Sequence, residues 1–172
     1  MAQRSDFDDI RPYHDDEVAT VLQRVLCDDE FAAAMARFRF PQFARFCPWL
    51  IKPLLRFFLK RRLAKVASVA AFQDVIEGYM SHMIATTTDG LSSSGLDKLQ
   101  RDKAYLFLSN HRDIAMDPAF VNFVLYHQKM QTVRIAIGDN LLTKPFASDL
   151  MRLNKSFLVR RGDMPPRKLF AA

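Results

Sequence analysis

Apolar residues recur at helical spacing through the first part of the chain. Val18, Val21, Leu22, Val25 and Leu26 share one face of the stretch Glu17 to Leu26, with Asp15 or Asp16 available as a cap, which predicts an amphipathic helix. Asp28-Asp29-Glu30 then opens a second helix, roughly Asp28 to Arg37, because acidic side chains suit a helix amino terminus and Ala32-Ala33-Ala34-Met35 continue it. A further helix is expected from Ala67 to Thr86, closed by Thr86-Thr87-Thr88-Asp89-Gly90 and followed by the loop Leu91 to Gly95.

Beyond that loop the pattern changes to short apolar runs separated by turns. Leu96 to Leu99 reads as a short strand, and Gln100 to Lys103 as the turn that delivers the chain into a central strand, Tyr105 to Leu108. Asp117 is expected to cap a helix with Pro118 at its first position and Ala119, Phe120, Phe123 and Val124 on its apolar face. Thr132 to Ile137 is a second β-branched run, Leu142 to Leu153 a short helix around Pro145, and Ser156 to Val159 a third strand. Strand alternating with helix predicts the α/β class, placed after an all-helical prefix. The expected organisation is therefore a helical prefix over 1–90 and an α/β domain over 91–172.

Composition narrows this only a little. At 172 residues, 49% hydrophobic and with 5 glycines, the chain is long enough for one domain with a core. Cys27 and Cys47 have neither a CxxC pairing nor His partners at ligand spacing, so no disulfide framework and no metal site is expected, and a reducing compartment fits. The acidic start MAQRSDFDDIRPYHDD is unlike a secretory signal, and no apolar run reaches the roughly 18 residues of a spanning helix.

Charge is more informative. Residues 1 to 30 carry nine acidic and three basic side chains, whereas 37 to 65 carry nine basic and no acidic ones. Within Arg37 to Val66, the aromatics Phe38, Phe40, Phe43, Phe46, Trp49, Phe57 and Phe58 alternate with arginines and lysines, and Pro41, Pro48 and Pro53 divide the segment. A bent pair of basic amphipathic helices would set aromatics into a headgroup boundary and cations against anionic lipid. The alternative is that the Phe/Leu stripe is core and the charges its solvated face. Nucleic acid is not the expected partner, because no recognisable nucleic-acid module accompanies the charge.

The candidate chemistry lies in Tyr105 to Phe123. His111 follows a strand's carboxyl end, where a loop is exposed over a rigid sheet, with Asp113 and Asp117 close behind it. A histidine oriented by a carboxylate can take a proton from a hydroxyl near neutral pH. No GxSxG serine or reactive cysteine accompanies it, so the hydroxyl would belong to a substrate. His14, His82 and His127 have no partners at useful spacing and receive no role.

Ser109-Asn110-His111 through Asp117-Pro118 resembles the first block of the glycerolipid acyltransferase family, the glycerol-3-phosphate and 1-acylglycerol-3-phosphate acyltransferases. Ile137-Gly138 to Phe146 and Lys155 to Arg161 resemble its second block. The resemblance covers Leu96 to about Gly162. It implies the first half of that family's α/β domain, with His111 and Asp117 as the catalytic pair and Arg160, with its neighbour Arg161, holding an acceptor phosphate beside Asn110. It implies acyl transfer from acyl-CoA or acyl carrier protein to glycerol 3-phosphate or lysophosphatidate in phospholipid synthesis. No metal or tight cofactor is expected, and the location implied is peripheral, on the cytoplasmic side of a membrane with an anionic surface. Two features differ from the family. Five residues rather than four separate His111 from Asp117, which leaves Asp113 as the other possible partner, and a third block of the Glu-Gly-Thr-Arg type does not follow before Ala172, as expected of a truncated chain.

Overall fold

In a computed structural model of the chain, the structure describes residues 7–110 and 112–160. Two of the expected site residues, His111 and Arg161, and the tail Met164 to Ala172 lie outside the described residues. The chain divides into two compact units, one of residues 1–72 with 136–172 and one of residues 73–135.

The first unit is a helical packing with one small parallel sheet. α1 (Asp15–Cys27) buries Val18, Val21, Leu22, Val25 and Leu26, the face that the periodicity predicts. Its amino end is closed by Glu17, whose carboxylate accepts the His14 amide at 2.8 Å, while Asp15 and Asp16 lie in the first turn rather than at the cap. α2 (Asp29–Arg39) starts where the Asp28 carboxylate accepts the Phe31 amide at 2.8 Å, an N-cap bond to the third residue of the helix. Pro41 and Pro48 each begin a helix, α3 (Pro41–Phe46) and α4 (Pro48–Leu63), because the missing amide is one that a first helical turn leaves unbonded anyway. Pro53 lies inside α4 and does not break it.

α4 packs on α1 and α2, and one arginine secures it. Arg56 donates to the Leu26 carbonyl at 3.1 Å and the Cys27 carbonyl at 3.0 Å, the last residues of α1, and to Asp29 at 2.6 Å. A cation at the carboxyl end of α1 satisfies carbonyls that have no helical partner and sits at the favourable end of the helix dipole. Arg56, still about one third exposed, is therefore engaged in holding α4 on the end of α1.

The sheet consists of β1 (Ala136–Gly138) and β2 (Phe157–Val159), parallel, with Ile137 opposite Leu158. α7 (Pro145–Leu153) makes the crossover that a parallel pair requires, and it packs on α1 with Leu153 fully buried. The third expected strand is thus present and the second is reduced to its last residues. Residues 7–13 are tied to this part of the unit: Leu158 gives its amide to the Ile10 carbonyl at 2.9 Å, and Tyr13 gives its amide to the Arg152 carbonyl at 3.2 Å.

The second unit contains most of α5 (Val69–Thr87), a helix whose start is closed by Ser68 accepting the Ala71 amide at 3.1 Å, and α6 (Met116–His127). The expected strand Leu96 to Leu99 is instead a 3-10 turn, Leu96–Lys98, entered through the left-handed Gly95. The expected central strand Tyr105 to Leu108 is not formed among the described residues. The exposure of the run alternates as a strand's would, with Tyr105 and Phe107 about 40% exposed and their rings 6.2 Å apart, and with Leu106 and Leu108 exposed by 85% and 87%. Among the described residues no strand is hydrogen-bonded beside it, and periodicity cannot supply one. Among the described residues the fold is accordingly mostly helical with a two-stranded parallel sheet, and the expected α/β alternation is realised there only from residue 136 onward.

Candidate active site

The loop that follows the apolar run is organised by two carboxylates with different tasks. Asp113 Oδ1 accepts the amides of Ala115 at 2.8 Å and Met116 at 2.7 Å, and so closes the start of α6. Asp117 was expected at the cap with Pro118 behind it. The helix instead begins at Met116, which puts Asp117 at its second position and Pro118 at its third. Pro118 is tolerated there because the first four amides of a helix have no acceptor within it.

Asp117, freed from capping forward, reaches back. Its Oδ2 accepts the Arg112 amide at 2.8 Å and the Asp113 amide at 2.9 Å, the two peptide groups that follow position 111 in sequence. A carboxylate at the amino end of a helix is also favoured by the helix dipole. The result is a closed turn of chain from 112 to 117, cross-braced by both aspartates. Asp117 is half-buried, whereas Asn110, just beyond the apolar run, is exposed.

The remainder of this unit holds α6 by side-chain bonds. Tyr126 donates to Asp74 at 2.6 Å, which raises the pKa of its hydroxyl, and Asn122 accepts the Val133 amide at 2.8 Å. His127, to which the sequence assigned no partner, lies 3.2 Å from Glu77 on α5, since residues fifty positions apart become neighbours only in the fold. His82 is exposed on α5. Among the described residues there is no group of three or more His, Cys, Asp and Glu side chains that could hold a metal ion.

Arg160 belongs to the other unit, immediately after β2, and is half exposed. Its guanidinium pairs with Asp9, and this bond holds the Asp9 carboxyl below the usual carboxylate range. Asp9 was not among the expected site residues. The acidity of the amino-terminal stretch was visible in the sequence, but which cation it would meet was not.

The basic aromatic segment is largely on the surface. Phe43, Phe46, Trp49, Phe57 and Phe58 are each more than half exposed, which goes against a buried core stripe. Among the described residues, no helix is long and apolar enough to cross a membrane.

A family model described as Acyltransferase matches residues 90–171, which contain the braced Asp113–Asp117 turn and Arg160. Comparison with curated proteins and with solved structures gave no match. Over residues 90–171, just under half of its length, this chain thus resembles the acyltransferase family, of the type that includes the glycerol-3-phosphate and 1-acylglycerol-3-phosphate acyltransferases.

Proposed function

We propose that this protein transfers a fatty acyl group from a thioester, acyl-CoA or acyl carrier protein, to a hydroxyl of glycerol 3-phosphate or lysophosphatidate. The observation that carries this reading is the Asp117 carboxylate, folded back onto the two amides that follow position 111. A chain so braced is suited to hold the neighbouring histidine steady. His111 is the general base that removes the acceptor's proton as its oxygen attacks the thioester carbonyl, after which the proton passes to the departing thiolate. Asp117 orients that imidazole and stabilises its cationic form. Arg160 and Arg161 supply charge-assisted hydrogen bonds to the acceptor phosphate, with Asn110 as an additional polar contact. No metal or tightly bound cofactor enters the scheme.

The prefix, residues 1–90, brings this chemistry to an anionic membrane from the cytoplasmic side, as a peripheral protein. Support comes from the exposed aromatics of α3 and α4 and from the exposed cations Arg37, Arg39, Arg45, Lys60, Arg61, Arg62 and Lys65 on a segment with no acidic residue. Aromatic rings favour the headgroup boundary, and each cation near an anionic surface contributes about 1 kcal/mol.

The test is thiol release from an acyl thioester in the presence of anionic vesicles, with glycerol 3-phosphate or lysophosphatidate as acceptor, for the wild type and His111→Ala. Acceptor-dependent release that disappears in the variant is expected. Equal background release in both would reject catalysis by this chain, and vesicle binding without turnover would then leave a non-catalytic membrane-associating role.

A further inference from the structure

The segment Phe7 to Tyr13 is fastened to the α7–β2 corner of its unit by backbone atoms. Ile10 and Arg11 donate to the Phe7 carbonyl at 3.1 and 2.9 Å, which makes the segment a compact turn. Arg152, a buried arginine, donates to the Arg11 carbonyl at 2.7 Å and the Asp8 carbonyl at 2.6 Å, and Leu158 donates to the Ile10 carbonyl at 2.9 Å. Glu17 adds a two-point pair with Arg11, at 2.6 and 3.1 Å. None of these bonds uses the Asp9 side chain. The segment is therefore placed by its neighbours, and the Asp9 carboxylate is delivered to Arg160 as a consequence.

A carboxylate and a phosphate present arginine with the same planar pair of acceptor oxygens and the same sign of charge. An intramolecular carboxylate on Arg160 is thus a competitor for any anion that this guanidinium binds. We propose that Asp9 is an affinity-determining residue of the acceptor site, an internal ligand that occupies Arg160 and must be displaced by the phosphate of the acceptor. The proposal rests on the reading of Arg160 as the acceptor-phosphate ligand. Both side chains are about half exposed, 50% for Arg160 and 51% for Asp9, so an anion from solution can reach the pair. The bond to Arg160 also holds the Asp9 carboxyl below the usual carboxylate range. Displacement costs the incoming phosphate only the exchange of one anion for another, and the segment stays in place when Asp9 lets go.

The experiment measures binding of inorganic phosphate and of glycerol 3-phosphate to the full chain by calorimetry, for the wild type, Asp9→Asn, Asp9→Ala, Asp8→Asn, Arg160→Gln and the double variant Asp9→Asn/Arg160→Gln. Each variant's thermal unfolding is followed alongside. Both Asp9 variants should bind phosphate more tightly, by roughly two- to five-fold, the scale of one exposed ion pair. Asp8→Asn removes the same charge one residue away, from a carboxylate that accepts from Arg11 Nε at 2.8 Å, and should gain clearly less. The Asp9 effect should vanish in the Arg160→Gln background. Unchanged affinity in both Asp9 variants, or an equal gain with Asp8→Asn, would overturn the proposal while Arg160→Gln still weakens binding. If instead Arg160→Gln binds phosphate as the wild type does, the assignment of Arg160 itself fails, and the proposal falls with it.

Discussion

Arg24 and Asp149 lie 125 positions apart in the chain and meet in a two-point ion pair, with Nε to Oδ2 and Nη2 to Oδ1 both 2.7 Å. Tyr13 completes the group, its hydroxyl donating to Asp149 Oδ1 at 2.7 Å while Arg152 lies over its ring at 4.1 Å. Burial raises the pKa of the Tyr13 hydroxyl and the bond to Asp149 adds to it, and the Arg24 guanidinium is held more firmly protonated by the same carboxylate. This cluster joins the amino-terminal segment, α1 and α7, so the chain closes on itself around one buried carboxylate.

Asp149→Ala should lower the stability of the chain by about 2 kcal/mol, because the Asp149 side chain is only 10% exposed and its loss strips a partner from two donors at once. Arg24→Ala should cost less, about 1 kcal/mol, since the Arg24 side chain is 55% exposed. Urea unfolding with an unchanged dependence on denaturant is the measurement. Equal losses in the two variants would show that the pair matters and Tyr13 does not.

Asp117→Asn retains an oxygen that can accept the Arg112 and Asp113 amides but removes the charge. On the proposed reading of Asp117 as the residue that orients His111, a loss of kcat of roughly two orders of magnitude, with KM for the acceptor little changed, is expected. Asp113→Asn should affect kcat less and α6 more, because its carboxylate closes the start of that helix. A larger kcat loss at Asp113 than at Asp117 would transfer the pairing with His111 to Asp113.

The Glu17 carboxyl is held below its ordinary pKa, chiefly by the Arg11 hydrogen bond. A carboxyl whose folded value is depressed adds stability that is fully present above its unfolded value and is lost as the pH falls through the folded one. The acid limb of the stability profile, below about pH 5, should therefore become shallower in Arg11→Gln. Unfolding free energies measured between neutral and acid pH test this, and parallel limbs for the two proteins would remove Glu17 from the account.

Trp49 is the only tryptophan of the chain and is 75% exposed on α4. Its fluorescence should shift to the blue on mixing with vesicles rich in anionic lipid, and weakly or not at all with zwitterionic ones. Replacing Lys60, Arg61 and Arg62 by glutamine should weaken partitioning on the order of 100-fold, from about 1 kcal/mol per cation, and added salt should reproduce part of that loss. Binding indifferent to both lipid charge and salt would refute an electrostatic docking surface.

The sequence by itself determined the elements whose causes are local. α1, α2, α6 and α7 follow from apolar spacing together with acidic or proline starts, since a helix bonds its backbone within its own span. The loop after Leu108 was legible as a family-like motif for the same reason, its residues lying within a few positions of one another. What the tertiary structure decided is everything that needs a distant partner. Tyr105 to Leu108 is an apolar run of the strand type but has no neighbouring strand among the described residues, whereas Phe157 to Val159 forms one because Ala136 to Gly138 lies beside it. Arg56 turns onto the end of α1 because the carbonyls of Leu26 and Cys27 await a donor, and composition alone grouped it with the other cations of its segment. Asp9 reaches Arg160 across 151 positions for the same reason, because the backbone bonds of Asp8, Ile10 and Arg11 fix where the segment lies. A strand, an ion pair and a capped carbonyl each require two pieces of chain to arrive together, and only the packed fold sets that meeting.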